Sequence, residues 1–132
     1  MKEVIREVLE MNLKKFIILI SIFGIITAAS GCGHPETYGE KILNRNITPI
    51  KDIVSHPEQY TGKTVTVKGK IAIECDTGCW FNLKDGADVL YTNIEPSGFA
   101  IPQKVGRSAV VEGTVSAEEG KLTLTGKGVE IR

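Results

Sequence analysis

TVTVKGKIAIEC, residues 64–75, alternates apolar and polar side chains with a period of two, the pattern of a strand with one buried face. Val65, Val67, Ile71 and Ile73 fall on one side, and Gly69 interrupts them, predicting a bulge or bend. Working downstream, Cys79–Leu83 repeats the alternation with Phe81 and Leu83, Asp85-Gly86 marks a turn, and Val89–Ile94 is a third strand. Glu95–Gly106, broken by Pro96, Gly98, Pro102 and Gly106, is a long connection. Ser108–Ser116 is a fourth strand, and Glu118-Glu119-Gly120 turns the chain into a fifth at Lys121–Thr125. Val129-Glu130-Ile131 closes the chain after a bend implied by Gly126 and Gly128.

Upstream, Thr48–Val54 reads as a short helix, with Thr48 as N-cap and Pro49 at the first helical position. Pro57 limits it, and His56, preceding a proline, is pushed away from helical angles. Five short strands with the long connection between the third and fourth match the five-stranded Greek-key barrel called the OB-fold. Gly69, Gly113 and Gly126 are placed to supply the kinks that curved strands need. The expected fold is therefore all-β, a small OB-fold barrel with a short N-terminal helix. Another small barrel or sandwich of short strands is the alternative.

Residues 11–32, MNLKKFIILISIFGIITAASGC, have a different composition. Lys14 and Lys15 precede an apolar run, Phe16–Ile26, and small residues lead to Cys32, the layout of an export signal. The end resembles the lipobox of bacterial lipoproteins, with Ala29 where leucine is usual. Cleavage before Cys32 would leave its thiol to be acylated. The run is shorter than the ~20 apolar residues of a spanning helix. Glu3, Glu7 and Glu10 sit where a signal should be basic, so Met11 is the expected true start. The expected organisation is a signal peptide over 1–31, a lipidated polar tether over 32–47 and the barrel over 48–132. Export, with attachment to membrane lipid through acylated Cys32, follows from this reading.

With Cys32 acylated, two of the three cysteines remain, Cys75 and Cys79. Asp76-Thr77-Gly78 between them suits a tight hairpin loop, which would face the two thiols across the strands, on the apolar side. Three readings follow. One is a disulfide, as suits an exported protein. Another is a redox or copper/zinc site, although Cys-x₃-Cys supplies only two of the roughly four ligands zinc takes. The last is a pair of inert thiols. No metal or other cofactor is predicted.

Trp80 has the opposite parity from Phe81 and Leu83. With Asn82, Tyr91 and Asn93 it would form an outward patch on the second and third strands, the face with which OB-folds bind oligonucleotides and oligosaccharides. Aromatics stack on such ligands and amides hydrogen-bond to them. The competing reading covers Trp80 with the Thr48–Ser55 helix or the loop carrying Phe99 and Ile101. The charge is balanced, 16 Lys+Arg against 16 Asp+Glu, which argues against nucleic acid. No Ser-His-Asp set, P-loop or HExxH motif is present. His56 and the turn aspartates Asp52, Asp76, Asp85 and Asp88 sit where such residues belong without catalysis.

The run Pro57-Glu58-Gln59-Tyr60-Thr61-Gly62-Lys63 leading into Val65, Val67 and Gly69 resembles the opening of many small OB-fold domains. With Gly78-Cys79-Trp80-Phe81-Asn82-Leu83 and Val110-Val111-Glu112-Gly113-Thr114-Val115, the chain resembles a family of short exported prokaryotic OB-fold lipoproteins of unassigned function. The resemblance implies a fold and an address but no catalytic residues. The expected function is a membrane-anchored extracytoplasmic binding or accessory module without enzymatic activity, with a protein or glycan partner. The alternative is a thiol-based redox or metal-handling envelope protein using Cys75 and Cys79.

Overall fold

The computed structural model describes residues 2–26 and 33–132. The chain divides into two units, 1–33 and 34–132. In the first, a helix, α1, runs Lys2–Ile26. No helix among the described residues is long and apolar enough to cross a membrane. The expected cleavage segment and the lipidation site Cys32 lie outside the described residues.

The second unit is the barrel. Its elements are β1 (Glu36–Gly39), α2 (Ile50–Ser55), α3 (Pro57–Tyr60), β2 (Thr64–Glu74), β3 (Trp80–Asp85), β4 (Asp88–Asn93), β5 (Ser108–Glu118) and β6 (Lys121–Ile131), with a 3-10 turn at Glu95–Ser97. The strand order is β1-β6-β4-β3-β2-β5, and a β5–β6 pairing closes the ring. β2 is long because it serves two neighbours. Its first half pairs with β5 (Thr64↔Thr114 to Lys70↔Ser108) and its second half with β3. β4 lies parallel to β6 while every other pairing is antiparallel. This is the expected Greek-key OB-fold.

Alternation fills the interior. Val67, Ile71, Phe81, Leu83, Leu90, Val111, Val115, Leu124 and Ile131 are buried together, and Ile50 and Ile53 of α2 close one end. The barrel turns sharply at a bulge that skips Lys127, between the pairs Glu112↔Gly128 and Gly113↔Gly126. Here β5 and β6 approach so closely that a Cβ on Gly113 would strike the Thr125 carbonyl. Only glycine permits that contact.

The structure changes several expectations. The 32–47 tether is, from Glu36 onward, part of the barrel. β1 pairs with the C-terminal half of β6 (Glu36↔Ile131 to Gly39↔Gly128), adding a sixth strand to the expected five. Ile42 is 1% exposed. Glu112 Oε2 accepts the Leu43 and Asn44 N–H groups at 3.1 and 3.0 Å. Arg45 grips buried Glu130 with two contacts of 2.8 and 2.9 Å. The reason is the strand edge that the second half of β6 would otherwise leave open. The Arg45 guanidinium holds the Glu130 carboxyl below its ordinary value of 4.5.

The helix start also shifts by one residue. Pro49 is the N-cap, its carbonyl receiving the Asp52 N–H, while Thr48 N–H donates to the Thr66 carbonyl instead of capping. His56 is non-helical as expected, and a second short helix then begins at Pro57. The expected bend of β6 does not divide it, since Lys121–Ile131 is one strand. The bulge of β2 falls between Ile71 and Ile73, not at Gly69. It swings Ile73 out of the core, to 57% exposed.

Candidate ligand-binding face

Trp80, Asn82, Tyr91 and Asn93 come together as the sequence predicts. β3 and β4 place Trp80 directly opposite Asn93, and Asn82 opposite Tyr91. All four are half-buried, and they alternate with the buried Phe81, Leu83, Leu90 and Thr92. Of the covers considered for Trp80, Ile50 and Ile53 of α2 and Ile101 belong to the core cluster, and Phe99 packs against it. The Trp80 ring instead faces Tyr91, with centroids 5.5 Å apart and planes tilted by 38°, a favourable aromatic geometry.

The barrel extends this patch beyond what the sequence suggested. Parallel pairing sets Tyr91 against Thr123 and Asn93 against Thr125. On β5, Ser116 opposes Thr123 and Thr114 opposes Thr125. Two rows of outward side chains therefore cross four strands, Trp80–Asn93–Thr125–Thr114 and Asn82–Tyr91–Thr123–Ser116. Ile73 opposes Asn82 on the β2 side. The β5–β6 turn walls one flank, with Glu119 at φ 51° and Gly120 at φ 77°. Lys121, just after that turn, holds its Nζ 4.4 Å from the centre of the Tyr91 ring, within cation–π range. The concavity along this flank holds about 740 Å³ and is bordered by Tyr91, Asn93, Glu118, Lys121 and Thr123. Thr123 and Thr125 alternate visibly with Leu124 in the sequence. Nothing local reveals that β6 lies beside β4.

At the Trp80 end lies the cysteine hairpin, and Cys75 and Cys79 form a disulfide with Cα atoms 5.7 Å apart. They are not directly opposed as expected. Cys75 N–H donates to the Trp80 carbonyl at 2.9 Å, so Trp80 is its cross-strand partner and the disulfide runs diagonally. The bulge before Ile73 reverses the parity from which Cys75 was expected to face the apolar side. The alternation of Phe81 and Leu83 from which Cys79 was placed is kept, and both cysteines are half-buried. The Thr77 hydroxyl lies 3.2 Å from the Cys75 sulfur. The disulfide excludes the inert-thiol reading.

The loop after β4 pins this hairpin. Gln103 Nε2 donates to the Cys75 and Asp76 carbonyls, both at 3.1 Å. Glu74 Oε1 accepts the Lys104 and Val105 N–H groups at 2.6 and 3.0 Å. Ile101 N–H donates to the Gly78 carbonyl. Gly78 sits at φ 71°, where a Cβ would collide with the Ile101 backbone. These contacts fix where β3 begins, and with it the position of Trp80. Of the two histidines, His34 and His56 are both exposed. No cluster of three or more metal-ligating side chains occurs among the described residues.

The sequence matches no protein-family model and no curated protein. Solved structures do match the fold. The hypothetical protein ygiW from E. coli superposes with a TM-score of 0.52 at 14% identity, covering 66% of this chain and 90% of its own. A putative aspartyl-tRNA synthetase from Leishmania major Friedlin matches with a TM-score of 0.53 at 19% identity, over 71% of this chain and 22% of its own. The aspartyl-tRNA synthetase of Entamoeba histolytica gives a TM-score of 0.53 at 13% identity, over 78% and 27%. At these identities the likeness establishes the fold alone.

Proposed function

We propose that the chain is an exported, lipid-anchored binding module without enzymatic activity, whose barrel takes an extended oligosaccharide across the outer face of β3, β4 and β6. The observation that carries this reading is the Trp80–Tyr91 pair, which stands outside the core and is bordered by two rows of amides and hydroxyls. A half-buried tryptophan outside the core cluster, set against a tyrosine, offers an apolar platform. Asn82, Asn93, Thr123 and Thr125 supply both donors and acceptors around it, which suits a ligand with apolar faces and polar edges. Two of the structurally similar proteins are aspartyl-tRNA synthetases, so oligonucleotide is the competing ligand class. The even balance of 16 basic and 16 acidic residues favours the glycan. Anchoring through acylated Cys32 supports an envelope setting for it.

The test is titration of the protein's single tryptophan with chitotetraose, peptidoglycan fragments and oligothymidylate. A saturable fluorescence change with an oligosaccharide is expected. By calorimetry, Trp80→Ala should weaken binding roughly 30-fold or more, as for an aromatic anchor. Absence of any saturable response to the glycans, or a response to oligothymidylate alone, would overturn the reading.

One observation favours a second reading, thiol redox chemistry: the Cys75–Cys79 disulfide is half-buried and not enclosed. Equilibration with glutathione buffers decides it. A potential below about −300 mV marks a structural bridge, and a value near those of redox catalysts marks an active one. Copper or zinc binding would require the bridge to be reduced first, since the thiolate is the metal ligand.

A further inference from the structure

We propose that the binding face continues into a cationic subsite built by Lys68, Lys70 and Lys84, so that the ligand is an acidic glycan whose carboxylate or phosphate group these lysines take. The proposal rests on the glycan reading and specifies its substrate class. Lys70 and Lys84 are direct register partners across β2 and β3. Both are exposed on the outer surface, and Lys68 stands two residues along on the same face. Like charges directly opposite one another destabilise a sheet. The protein nevertheless places them there, and none of the three lysines belongs to an ion pair among the described residues. All three line one cleft of about 520 Å³, walled on one side by Ile47 and Pro49. The carboxylate at its rim, Asp85, is likewise outside any ion pair. An anionic group entering this cleft relieves the repulsion that the free protein carries.

Position ties the cleft to the aromatic platform. Lys84 follows Asn82 on the outward side of β3, two residues and so roughly 7 Å away. Val89, its partner on β4, follows Tyr91 in the same way. A ligand lying along β3 therefore meets Trp80, then Asn82, then Lys84 and Lys70, over roughly 13 Å. The three lysines stand together at that end, and on the opposite flank the single cation Lys121 is offset by Glu118 and Glu119. A nucleic acid bears a phosphate at every residue and wants a continuous basic track. A glycan with uncharged units over the aromatics and an acidic group at one end matches this distribution.

The experiment is calorimetry on the full chain with chitotetraose, chitotetraonate (chitotetraose oxidised to a carboxylate at its reducing end) and hexathymidylate, for the wild type, Trp80→Ala and the double variant Lys70→Gln/Lys84→Gln. Both lysines are exposed, so the double variant should fold, and relief of their repulsion should raise its melting temperature. Chitotetraonate should bind roughly tenfold more tightly than chitotetraose, the scale of two solvent-exposed ion pairs. The double variant should abolish that advantage while leaving chitotetraose affinity within about twofold, and salt should shrink it. Trp80→Ala should weaken both oligosaccharides. Equal affinities in the wild type, or an advantage that survives in the double variant, overturn the cationic subsite and leave the glycan reading standing. Failure of both oligosaccharides overturns the two together. Lysine-dependent hexathymidylate binding tighter than either sugar replaces the glycan with nucleic acid.

Discussion

Ile42→Ala tests whether the segment before α2 belongs to the barrel. Ile42 is 1% exposed, while its neighbour Leu43 is 80% exposed. The substitution removes three buried carbons, worth about 2.4 kcal/mol at ~0.8 kcal/mol each. The cavity left behind adds to this and brings the total to about 2.5–4 kcal/mol, inside the range for such truncations. For a domain of about 100 residues each kcal/mol lowers Tm by roughly 4–8 °C, so a fall of at least about 10 °C is expected. A domain of that size commands about 5–15 kcal/mol, so the variant still folds. The assay is thermal unfolding followed by circular dichroism, with Leu43→Ala as the control, where the change should stay within about 0.5 kcal/mol. Equal melting temperatures for the two variants would refute the reasoning, because they would mean that nothing around Ile42 is packed in solution.

Acid should weaken the same attachment. The Arg45 hydrogen bond holds the Glu130 carboxyl below its ordinary value of 4.5, and hydrogen bonds from Lys104 and Tyr38 do the same for Glu36. A carboxyl whose folded value is depressed stabilises fully above its unfolded value and loses that stabilisation as pH falls through the folded one. Tm should therefore drop below pH 4.5, and Arg45→Gln should make that acid limb shallower; equal slopes in wild type and variant would count against the pair. For the disulfide, the loop closed by Cys75 and Cys79 is short, so its loss should cost about 2 kcal/mol on the chain-entropy account. Reductant should lower the urea midpoint of the wild type and leave Cys75→Ser/Cys79→Ser unchanged, and a wild-type midpoint indifferent to reductant would show the bridge to be energetically idle.

The parts of the fold visible in the sequence were those carried by local period. Phe81 and Leu83 alternate with Trp80 and Asn82, and the register places each on the expected side. The strand at Glu36–Gly39 was not visible, because four residues with Gly39 at the end show no period and are held by a partner some ninety residues away. The bulge before Ile73 was misplaced for a related reason. Gly69 is the residue that tolerates a kink, but the kink lies where β2 passes from β5 to β3, and that depends on both neighbours. The one-residue error then carried through to Cys75, since reversing the parity of Ile73 reverses that of Cys75.

The candidate site divides along the same line. Trp80, Asn82, Tyr91 and Asn93 could be read because β3 and β4 are consecutive strands joined by a tight turn, so side-chain parity and turn position together set their pairing. Lys121, Thr123 and Thr125 join them only through the parallel β4–β6 contact, and Lys70 meets Lys84 only through the β2–β3 register after the long strand has bent. Alternation is a property of one strand and survives in the sequence, so the sequence alone determined the barrel, its core face and the aromatic pair. Which strand lies beside which, and in what register, depends on closing the barrel so that no edge is left unpaired. That closure is a property of the whole chain, and it decided the sixth strand, the diagonal disulfide and the breadth of the binding face.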